Sequence, residues 1–322
     1  MEQLLRVRDL RTHFYTYRGV VRALNGVNLT IPVKEIVGLV GETGSGKSVT
    51  ARSIIRLIDS PGRIIGGEII FEGMDLLKLR KEEMAKVRGK EISMIFQEPV
   101  IALNPVLNVG TQMRETLQAN MGYNKKKAEE EAVKLLTGVG LPDAKSTLKR
   151  YPHELSGGMA QRVMIAMAIS AEPKLLIADE PTSSLDVTIQ SQILHLLRDL
   201  MEDGRITSIL FITHDLGVAA ELCNKIAVMY GGRIAEFGTL QQIFEDPKHP
   251  YTIGLMKAVP KLGDYERLYT IPGEVPDLVS PPEGCVFHPR CPHAMERCRK
   301  VEPNTTVVEG SHIVSCHLME EN

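Results

Sequence analysis

The chain has 322 residues, 43% of them hydrophobic and 24% charged, which suits one large globular domain with an appendage, or two domains. Its formal net charge of −2 provides no basic field for nucleic acid, which we exclude as a partner. The N-terminus lacks the apolar core of a signal peptide, and the longest apolar stretch, residues 163–171, is about half of what a membrane span needs. We therefore expect a cytosolic protein.

The first strong prediction in chain order is a phosphate site. Residues 36–40 are an apolar run typical of a buried strand, and a helical pattern follows residue 48. Between them Gly41-x4-Gly46-Lys47-Ser48 matches a P-loop, whose glycines let backbone N–H groups reach phosphate oxygens. Lys47 supplies charge to the β- and γ-phosphates, and the Ser48 hydroxyl can ligate Mg²⁺. The predicted nucleotide-binding residues are Gly41, Glu42, Thr43, Gly44, Ser45, Gly46, Lys47, Ser48 and Val49.

A helical region is predicted next, over residues 81–170. It includes the charged run "KKKAEEEAVKLL", which is most simply the solvated face of a helix. Near its end, Ser156 is a good N-cap, and Gly157 and Gly158 permit a close backbone approach at the start of another helix. This places a second helix N-terminus where a phosphate could bind.

Three apolar strands are predicted in the second half, near residues 174–178, 208–212 and 225–230. The first ends in Asp179 and Glu180, and an acid at that position of a P-loop protein holds Mg²⁺. The second ends near His214, and the third leads into a hairpin turn at Gly231 and Gly232. Strands and helices that alternate around a P-loop predict an α/β fold with a mainly parallel sheet and helices on both faces.

The last part of the chain is rich in proline and carries four of the five cysteines, spaced x5, x6 and x17. Disulfides are rare in a reducing compartment, so a metal site is the better interpretation. The residues alone leave zinc and an iron–sulfur cluster open, since zinc sites usually begin with a tight C-x2–4-C knuckle that is missing here. Cys223 is better interpreted as a small buried hydrophobe. The predicted ligands are Cys285, Cys291, Cys298 and Cys316, with His288, His293, His312 and His317 nearby.

The stretch from Leu155 to Met159 resembles the LSGGQ signature of the ATP-binding cassette (ABC) family, with Met in place of the final Gln. The resemblance covers about residues 4–260 and implies roles for other positions. Gln97 in "MIFQEP" matches the Q-loop, residues 183–186 match the D-loop, and His214 matches the switch histidine that contacts the γ-phosphate. It implies that Glu180, His214 and Gln97 are catalytic, that Ser48, Gln97 and Asp179 hold Mg²⁺, and that Ser156, Gly157 and Gly158 contact ATP across a dimer.

The resemblance also implies an aromatic side chain that stacks on adenine. "HFYTYRG" offers Phe14, Tyr15 and Tyr17 ahead of the P-loop. In a strand, Tyr15 and Tyr17 would share one face and Phe14 the other. We favour Tyr17, which is nearest the following turn, with Tyr15 as the alternative.

The box "HPYTIGLMKAVP" and the tail pattern "FHPRCP" are similar to the oligopeptide/dipeptide branch of ABC importers, which includes nickel-uptake systems. This similarity extends over residues 1–322. It implies ATP hydrolysis that powers import of dipeptides or oligopeptides, with nickel or another small solute, or a soluble non-transport ABC ATPase, as alternatives. It also moves the metal prediction to a [4Fe–4S] cluster on the four tail cysteines, with zinc as the alternative.

Further expectations follow from the branch. The partners are a second related ATPase in a head-to-tail dimer, two integral-membrane permeases and, indirectly, an extracytoplasmic peptide-binding protein. The chain should lie at the cytoplasmic face of a prokaryotic cell membrane. The expected fold is a P-loop ABC cassette over residues 1–245, with an N-terminal antiparallel β subdomain and a helical subdomain at about 98–170. A small cysteine-rich extension is expected over residues 246–322.

Overall fold

The computed structural model describes residues 2–259 and 269–320. In chain order the strands are β1 (Gln3–Thr16), β2 (Gly19–Pro32), β3 (Ile36–Val40), β4 (Gly62–Phe71), β5 (Met74–Asp75), β6 (Ile92–Ile95), β7 (Leu175–Asp179), β8 (Ser208–Thr213), β9 (Lys225–Tyr230), β10 (Arg233–Thr239), β11 (Thr305–Glu309) and β12 (His312–Ser315). The α-helices are α1 (Lys47–Ile54), α2 (Lys81–Val87), α3 (Pro99–Ala102), α4 (Val109–Met121), α5 (Lys125–Gly138), α6 (Ala144–Thr147), α7 (Gly157–Ala168), α8 (Val187–Glu202), α9 (Leu216–Leu222), α10 (Leu240–Glu245) and α11 (Pro250–Ala258).

Two compact units make up the described chain. The first contains the residues up to 78 and those from 212 onward, and the second contains residues 79–211. The boundary falls within β8.

The first unit begins with an antiparallel sheet of four strands in the order β2-β1-β4-β5. A bulge interrupts β1 at Asp9, which has a φ of 43°, and the pairing register shifts there against both neighbouring strands. Gly67 of β4 lies opposite the bulge, where a Cβ would be 2.6 Å from the Cα of Leu10. A bulge adds one residue to one strand, so side chains on both sides of it can point to the same face.

The first unit also holds β3, which pairs in parallel with β9. All residues of β3 and β9 are buried, as expected for parallel strands covered on both faces. β9 turns back into β10 through Gly231 and Gly232, with φ values of 53° and 78°. Two positive φ values are what a type I′ hairpin turn requires, so glycine is the natural residue at both positions.

The end of the chain adds a hairpin, β11–β12, to the outer side of β10. Glu236 of β10 is fully buried and accepts hydrogen bonds from the backbone N–H groups of Lys248 and His249 at 2.8 and 2.9 Å. Its carboxylate also lies 2.7 Å from Nε2 of His312 in β12. A buried carboxylate is tolerated only when its oxygens are hydrogen-bonded, and here three groups from two later segments do so. This network fastens the C-terminal hairpin to the sheet.

The second unit contains helices α2 to α8 and the parallel pair β6–β7. β7 is fully buried and ends at Asp179. Most of the unit is helical, as the sequence predicts. β6 was not predicted, because its four residues, Ile-Ser-Met-Ile, are too short a run to show a period. No helix among the described residues is both long enough and apolar enough to cross a membrane.

Tyr17 does not lie in a strand, contrary to the alternation argument. β1 ends at Thr16 and β2 begins at Gly19, so Tyr17 and Arg18 form the turn between them. Tyr17 is 92% exposed and Tyr15 is 48% exposed. The turn forms here because Gly19 adopts a φ of 127°, which a residue with a Cβ would avoid.

Candidate functional site

The P-loop in the first unit connects β3 to α1 over a tightly packed backbone. A Cβ on Gly41 would overlap the carbonyl oxygen of Met229, and a Cβ on Gly46 would lie 2.7 Å from the Cε of Met229 and 2.9 Å from the carbonyl oxygen of Ala23. Gly44 has open space on its Cβ side. Gly41 and Gly46 therefore have no room for a side chain, whereas Gly44 lies where the loop surface is open to a ligand.

Lys47, the first residue of α1, folds its side chain back over the loop. Its Nζ donates hydrogen bonds to the carbonyl oxygens of Gly41 and Glu42 at 2.8 and 3.0 Å, and the residue is only 5% exposed. A nearly buried ammonium group held in this way is positioned before any phosphate arrives. It therefore supplies pre-organised positive charge at the helix N-terminus.

The loop residues fit a bound phosphate group. The Oγ of Ser45 is buried and has no hydrogen-bond partner. Buried hydroxyl groups are usually satisfied, and an orphan at this position is explained when a ligand oxygen bonds to it. Together with the glycine backbone and Lys47, this describes an anion cradle that suits the phosphates of ATP.

The C-terminal region supports the P-loop from behind, which the sequence did not reveal. The backbone N–H of Glu42 donates a hydrogen bond to the Tyr251 hydroxyl at 3.0 Å. Tyr251 of α11 is fully buried and packs against Tyr230 and Phe287, with ring centroids 4.6 and 5.4 Å away. Burial raises the pKa of Tyr251, so its hydroxyl stays protonated. The "HPYT" box thus places an aromatic anchor beneath the loop.

Arg290 forms a second support from the proline-rich tail. One of its terminal nitrogens lies 2.9 Å from the Glu42 carboxylate and 3.3 Å from the Tyr230 hydroxyl. Its other nitrogens donate to the carbonyl oxygens of Ile271 and Pro272 at 3.2 and 2.9 Å. The side chain is only 6% exposed. All three nitrogens of the Arg290 guanidinium group are therefore hydrogen-bonded, and the side chain connects the tail to the P-loop. In the sequence, the only signal for this residue is its position within the tail pattern "FHPRCP".

Two further predicted residues belong to the first unit. His214 follows β8 directly and its side chain is exposed. Tyr17 stands at its turn with the Arg18 guanidinium 5.5 Å from its ring centroid. Both side chains are accessible to a ligand, as their predicted roles require.

In the second unit, the predicted acids occupy the end of β7. Asp179 is 1% exposed, and Glu180, just beyond the strand, has a φ of 46°. Non-glycine residues rarely adopt this left-handed conformation, which is often found at functional sites. The amide of Gln97 donates to the Glu180 carboxylate at 3.1 Å. The structure therefore brings together two residues that are 83 positions apart in the sequence.

The signature and D-loop residues of the second unit line one open groove of about 730 Å³. Ser156 caps α7 by accepting a hydrogen bond from the Met159 N–H at 3.3 Å, as its sequence predicts. A Cβ on Gly158 would lie 2.9 Å from Cγ2 of Ile189 in α8. Asp186 caps α8 on the other side of the groove. The N-terminus of α7 lies at an accessible space that can take an anionic group.

The iron–sulfur prediction is wrong. Among residues 2–259 and 269–320, no group of three or more His, Cys, Asp or Glu side chains is arranged to hold a metal ion. Burial raises the pKa of Cys285 and of Cys316 to about 11 and also raises that of Cys291. The lack of such a group among these residues also overturns the zinc alternative. The sequence shows the number and spacing of the cysteines, but it does not show whether their sulfur atoms converge on one point.

The tail is held by ordinary packing instead. Phe287 is 2% exposed and lies 5.1 Å from the Tyr230 ring, and all five cysteines of the chain are free thiols. Cys298 and Cys316 are buried. Cys223 is 4% exposed and burial raises its pKa to about 12, as expected for the small buried hydrophobe predicted there.

Comparison with known proteins decides the family. Residues 24–183 match the ABC transporter family, and residues 235–298 match the C-terminal region of oligopeptide/dipeptide transporters. The chain is 49% identical over 322 residues to the oligopeptide transport ATP-binding protein OppD of Haemophilus influenzae, covering 100% of this chain and 99% of that one. The chain belongs to the ABC transporter family.

Other relatives agree with this assignment. The dipeptide transport ATP-binding protein DppD of Bacillus subtilis is 47% identical over 323 residues, which cover 100% of this chain and 96% of that protein. The dimeric structure of a bacterial ABC transporter cassette aligns with a TM-score of 0.65 and 28% identity, covering 73% of this chain and 98% of that one. A related dimer, bound to ADP and phosphate in a post-hydrolysis state, aligns equally well, with 27% identity. The predicted ABC ATPase fold and the resemblance to the peptide-importer branch are confirmed.

Proposed function

We propose that this chain is the ATP-hydrolysing subunit of an ABC importer for dipeptides or oligopeptides. One observation carries the proposal: the same chain joins a P-loop cassette to a C-terminal region of the oligopeptide/dipeptide transporter type, and that region contacts the P-loop. Relatives named for oligopeptide and dipeptide transport match nearly all of its length.

In the proposed site the P-loop binds the phosphates of ATP. Backbone N–H groups of the loop from Thr43 to Lys47 and the Lys47 ammonium group would bind phosphate oxygens, and Ser45 can donate its unpaired hydroxyl. Ser48 and Asp179 would hold Mg²⁺, with Gln97 near it; this ion would neutralise charge on the β- and γ-phosphates. Tyr17, or Tyr15 beside it, would stack on the adenine ring.

Glu180 is the proposed general base or water-orienting residue. Its carboxylate accepts a hydrogen bond from the side-chain amide of Gln97, which fixes the position of the carboxylate just beyond β7. A carboxylate positioned in this way can take a proton as the water attacks the γ-phosphate. His214 would hold the γ-phosphate from the end of β8.

Each ATP would also need a second subunit. Ser156, Gly157 and Gly158 form a helix N-terminus over the open groove in the second unit, and we propose that it contacts ATP bound to the P-loop of a partner ATPase. The dimeric structures of related cassettes support this arrangement. We propose a related but non-identical ATPase as the partner.

The remaining partners follow from the proposed transport role. They are two integral-membrane permeases and, through them, an extracytoplasmic peptide-binding protein. The chain would then be peripheral at the inner face of a prokaryotic membrane. We also propose a cassette over residues 1–245, with a helical subdomain at about 98–170, and an extension over residues 246–322.

Reconstitution tests the proposed function. The chain, its partner ATPase and the two permeases are assembled in proteoliposomes with the binding protein, and uptake of a labelled dipeptide and a labelled tripeptide is measured with ATP. We expect ATP-dependent uptake that is lost when Glu180→Gln replaces the wild-type chain. Uptake of Ni²⁺ but of neither peptide would favour the nickel alternative, and ATP hydrolysis unaffected by the permeases would favour a non-transport ATPase.

A further inference from the structure

The first unit contains a cavity of about 450 Å³ that none of the predicted nucleotide-binding residues lines. Its walls come from β1 and β2 on one side, and from β10 and the C-terminal tail on the other. This volume lies within the range of small-molecule binding sites, which are mostly apolar with a few polar groups.

Four arginines face the cavity: Arg6, Arg8, Arg11 and Arg233. Three of them come from β1, where the bulge at Asp9 resets the strand alternation and keeps Arg11 on the side of Arg6 and Arg8. On the opposite side of β1, Leu10 and Thr12 are fully buried. One strand thus concentrates positive charge on the cavity wall.

The acids in the wall balance only half of this charge. Asp9 pairs with Arg11, with the nearest oxygen at 2.8 Å, and Glu302 pairs with Arg233. No acid of the cavity wall remains to pair with Arg6 and Arg8. In addition, the Nε groups of Arg6 and Arg233 are buried and have no hydrogen-bond partner. Buried polar groups normally have partners, so the guanidinium groups of these two arginines are only partly satisfied by the protein.

The other surfaces of the cavity are apolar. Phe237, Val286 and Ile313 line it, together with the buried rings of Phe287 and Tyr230. In β12, Ile313 and Ser315 face the cavity, whereas His312 and Val314 are buried on the other side. An occupant would therefore contact apolar groups along its body and guanidinium groups at one end.

We propose that this cavity is a binding site for a small organic anion with an apolar body, held at its carboxylate or phosphate by Arg6 and Arg8. Guanidinium groups bind either head group through charge-assisted hydrogen bonds. The site is separate from the ATP site, and the proposal does not depend on the transported solute.

The test uses 8-anilinonaphthalene-1-sulfonate, an apolar organic anion that fluoresces when bound. The full chain is titrated with this probe in excess ADP and Mg²⁺, so that the nucleotide site is occupied. We expect one saturable site in the wild-type chain. The double variant Arg6→Gln/Arg8→Gln should bind the probe roughly tenfold more weakly, because two charge-assisted hydrogen bonds are lost.

A matched control removes the same charge elsewhere. Lys126 and Arg299 are exposed and do not line the cavity, so Lys126→Gln/Arg299→Gln should bind the probe like the wild type. Ser315→Trp keeps all four arginines and places an indole at the wall, where the Ser315 hydroxyl lies 3.2 Å from that of Thr305. It should also weaken probe binding, and it provides a second test if the double arginine variant fails to fold.

Competition identifies the head group. Displacement of the probe by phenyl phosphate favours a phosphate ligand, and displacement by phenylacetate favours a carboxylate ligand. The proposal is overturned if neither compound competes, if folded Arg6→Gln/Arg8→Gln or Ser315→Trp binds the probe as the wild type does, or if the control variant loses as much affinity.

Discussion

At the scale of single residues, the proposed general-base role of Glu180 can be tested by one substitution. Its left-handed backbone and its hydrogen bond from Gln97 fix the carboxylate just beyond β7. We expect Glu180→Gln to lower ATP turnover by about 10²- to 10⁴-fold, the usual contribution of a general base, while leaving ATP binding intact. Removal of the negative charge should also trap a closed, ATP-loaded dimer. Turnover is measured as phosphate release, and ATP binding is measured with labelled ATP.

Glu172 offers a matched control for this substitution. It is also a glutamate with positive φ, at 50°, but it is exposed at a turn before β7. Glu172→Gln should hydrolyse ATP at the wild-type rate. Turnover of Glu180→Gln within about tenfold of the wild type would rule out the general-base role.

Arg290 is a positioning residue, because it reaches the P-loop through Glu42. We expect Arg290→Met to raise the KM for ATP by about tenfold, the size expected for loss of a hydrogen bond to a charged group, with a smaller change in kcat. The matched control is Arg297→Met in the same tail, since Arg297 pairs with Glu320 at 3.0 Å but is 47% exposed. Its KM should stay near that of the wild type.

A double-mutant cycle separates coupling from general damage to the tail. If Arg290 acts through the Glu42 carboxylate, Arg290→Met combined with Glu42→Gln should cost little more than the larger of the two single effects. Additive losses of ATP affinity would show that the two side chains act independently. Thermal unfolding of each variant confirms that the tail remains folded.

At the scale of elements, the residue that caps α11 is a histidine, which makes the folding of this region sensitive to acid. His249 caps the helix, with Nδ1 accepting the Tyr251 N–H at 3.0 Å, and it is 3% exposed. Burial lowers its pKa from 6.5 to about 4. Between these pH values the unfolded chain binds a proton that the folded chain does not, so the free energy of unfolding falls as the pH falls. The predicted loss is roughly 3 kcal/mol between pH 6.5 and pH 4.

His249→Asn tests this prediction, because asparagine can also cap a helix but does not titrate. Urea unfolding between pH 7 and pH 4 should show a flatter pH dependence in the variant than in the wild type. His153, which is exposed, provides the control in His153→Asn. Equal slopes for the wild type and His249→Asn would contradict a buried neutral histidine.

At the scale of the whole molecule, one chain holds half of each proposed ATP site. The purified chain alone should therefore hydrolyse ATP slowly, and its rate should rise when the partner ATPase is titrated in. Ser156→Arg in this chain places a bulky cation at the signature helix and should block the stimulated rate without changing ATP binding to its own P-loop. A stimulated rate unaffected by Ser156→Arg would contradict the proposed dimer.

The sequence by itself determined the parts of this protein that depend on local pattern. The P-loop, the capped helix after Ser156 and the buried strand before Asp179 are each specified by neighbouring residues, because backbone conformation and burial period are local properties. The glycine pair at 231–232 determined a hairpin turn for the same reason. The family resemblance rested on these short motifs, and the comparisons confirmed it.

The tertiary structure determined which residues that are distant in the sequence come into contact. Spacing could not show that Tyr251 and Arg290 reach Glu42, over 200 positions away, because side-chain contacts depend on how sheets and tail pack. Four cysteines suggested a cluster, yet no group of side chains among the described residues is arranged to hold a metal. The arginines of β1 line a cavity only because the Asp9 bulge keeps them on one face and the C-terminal hairpin packs opposite them.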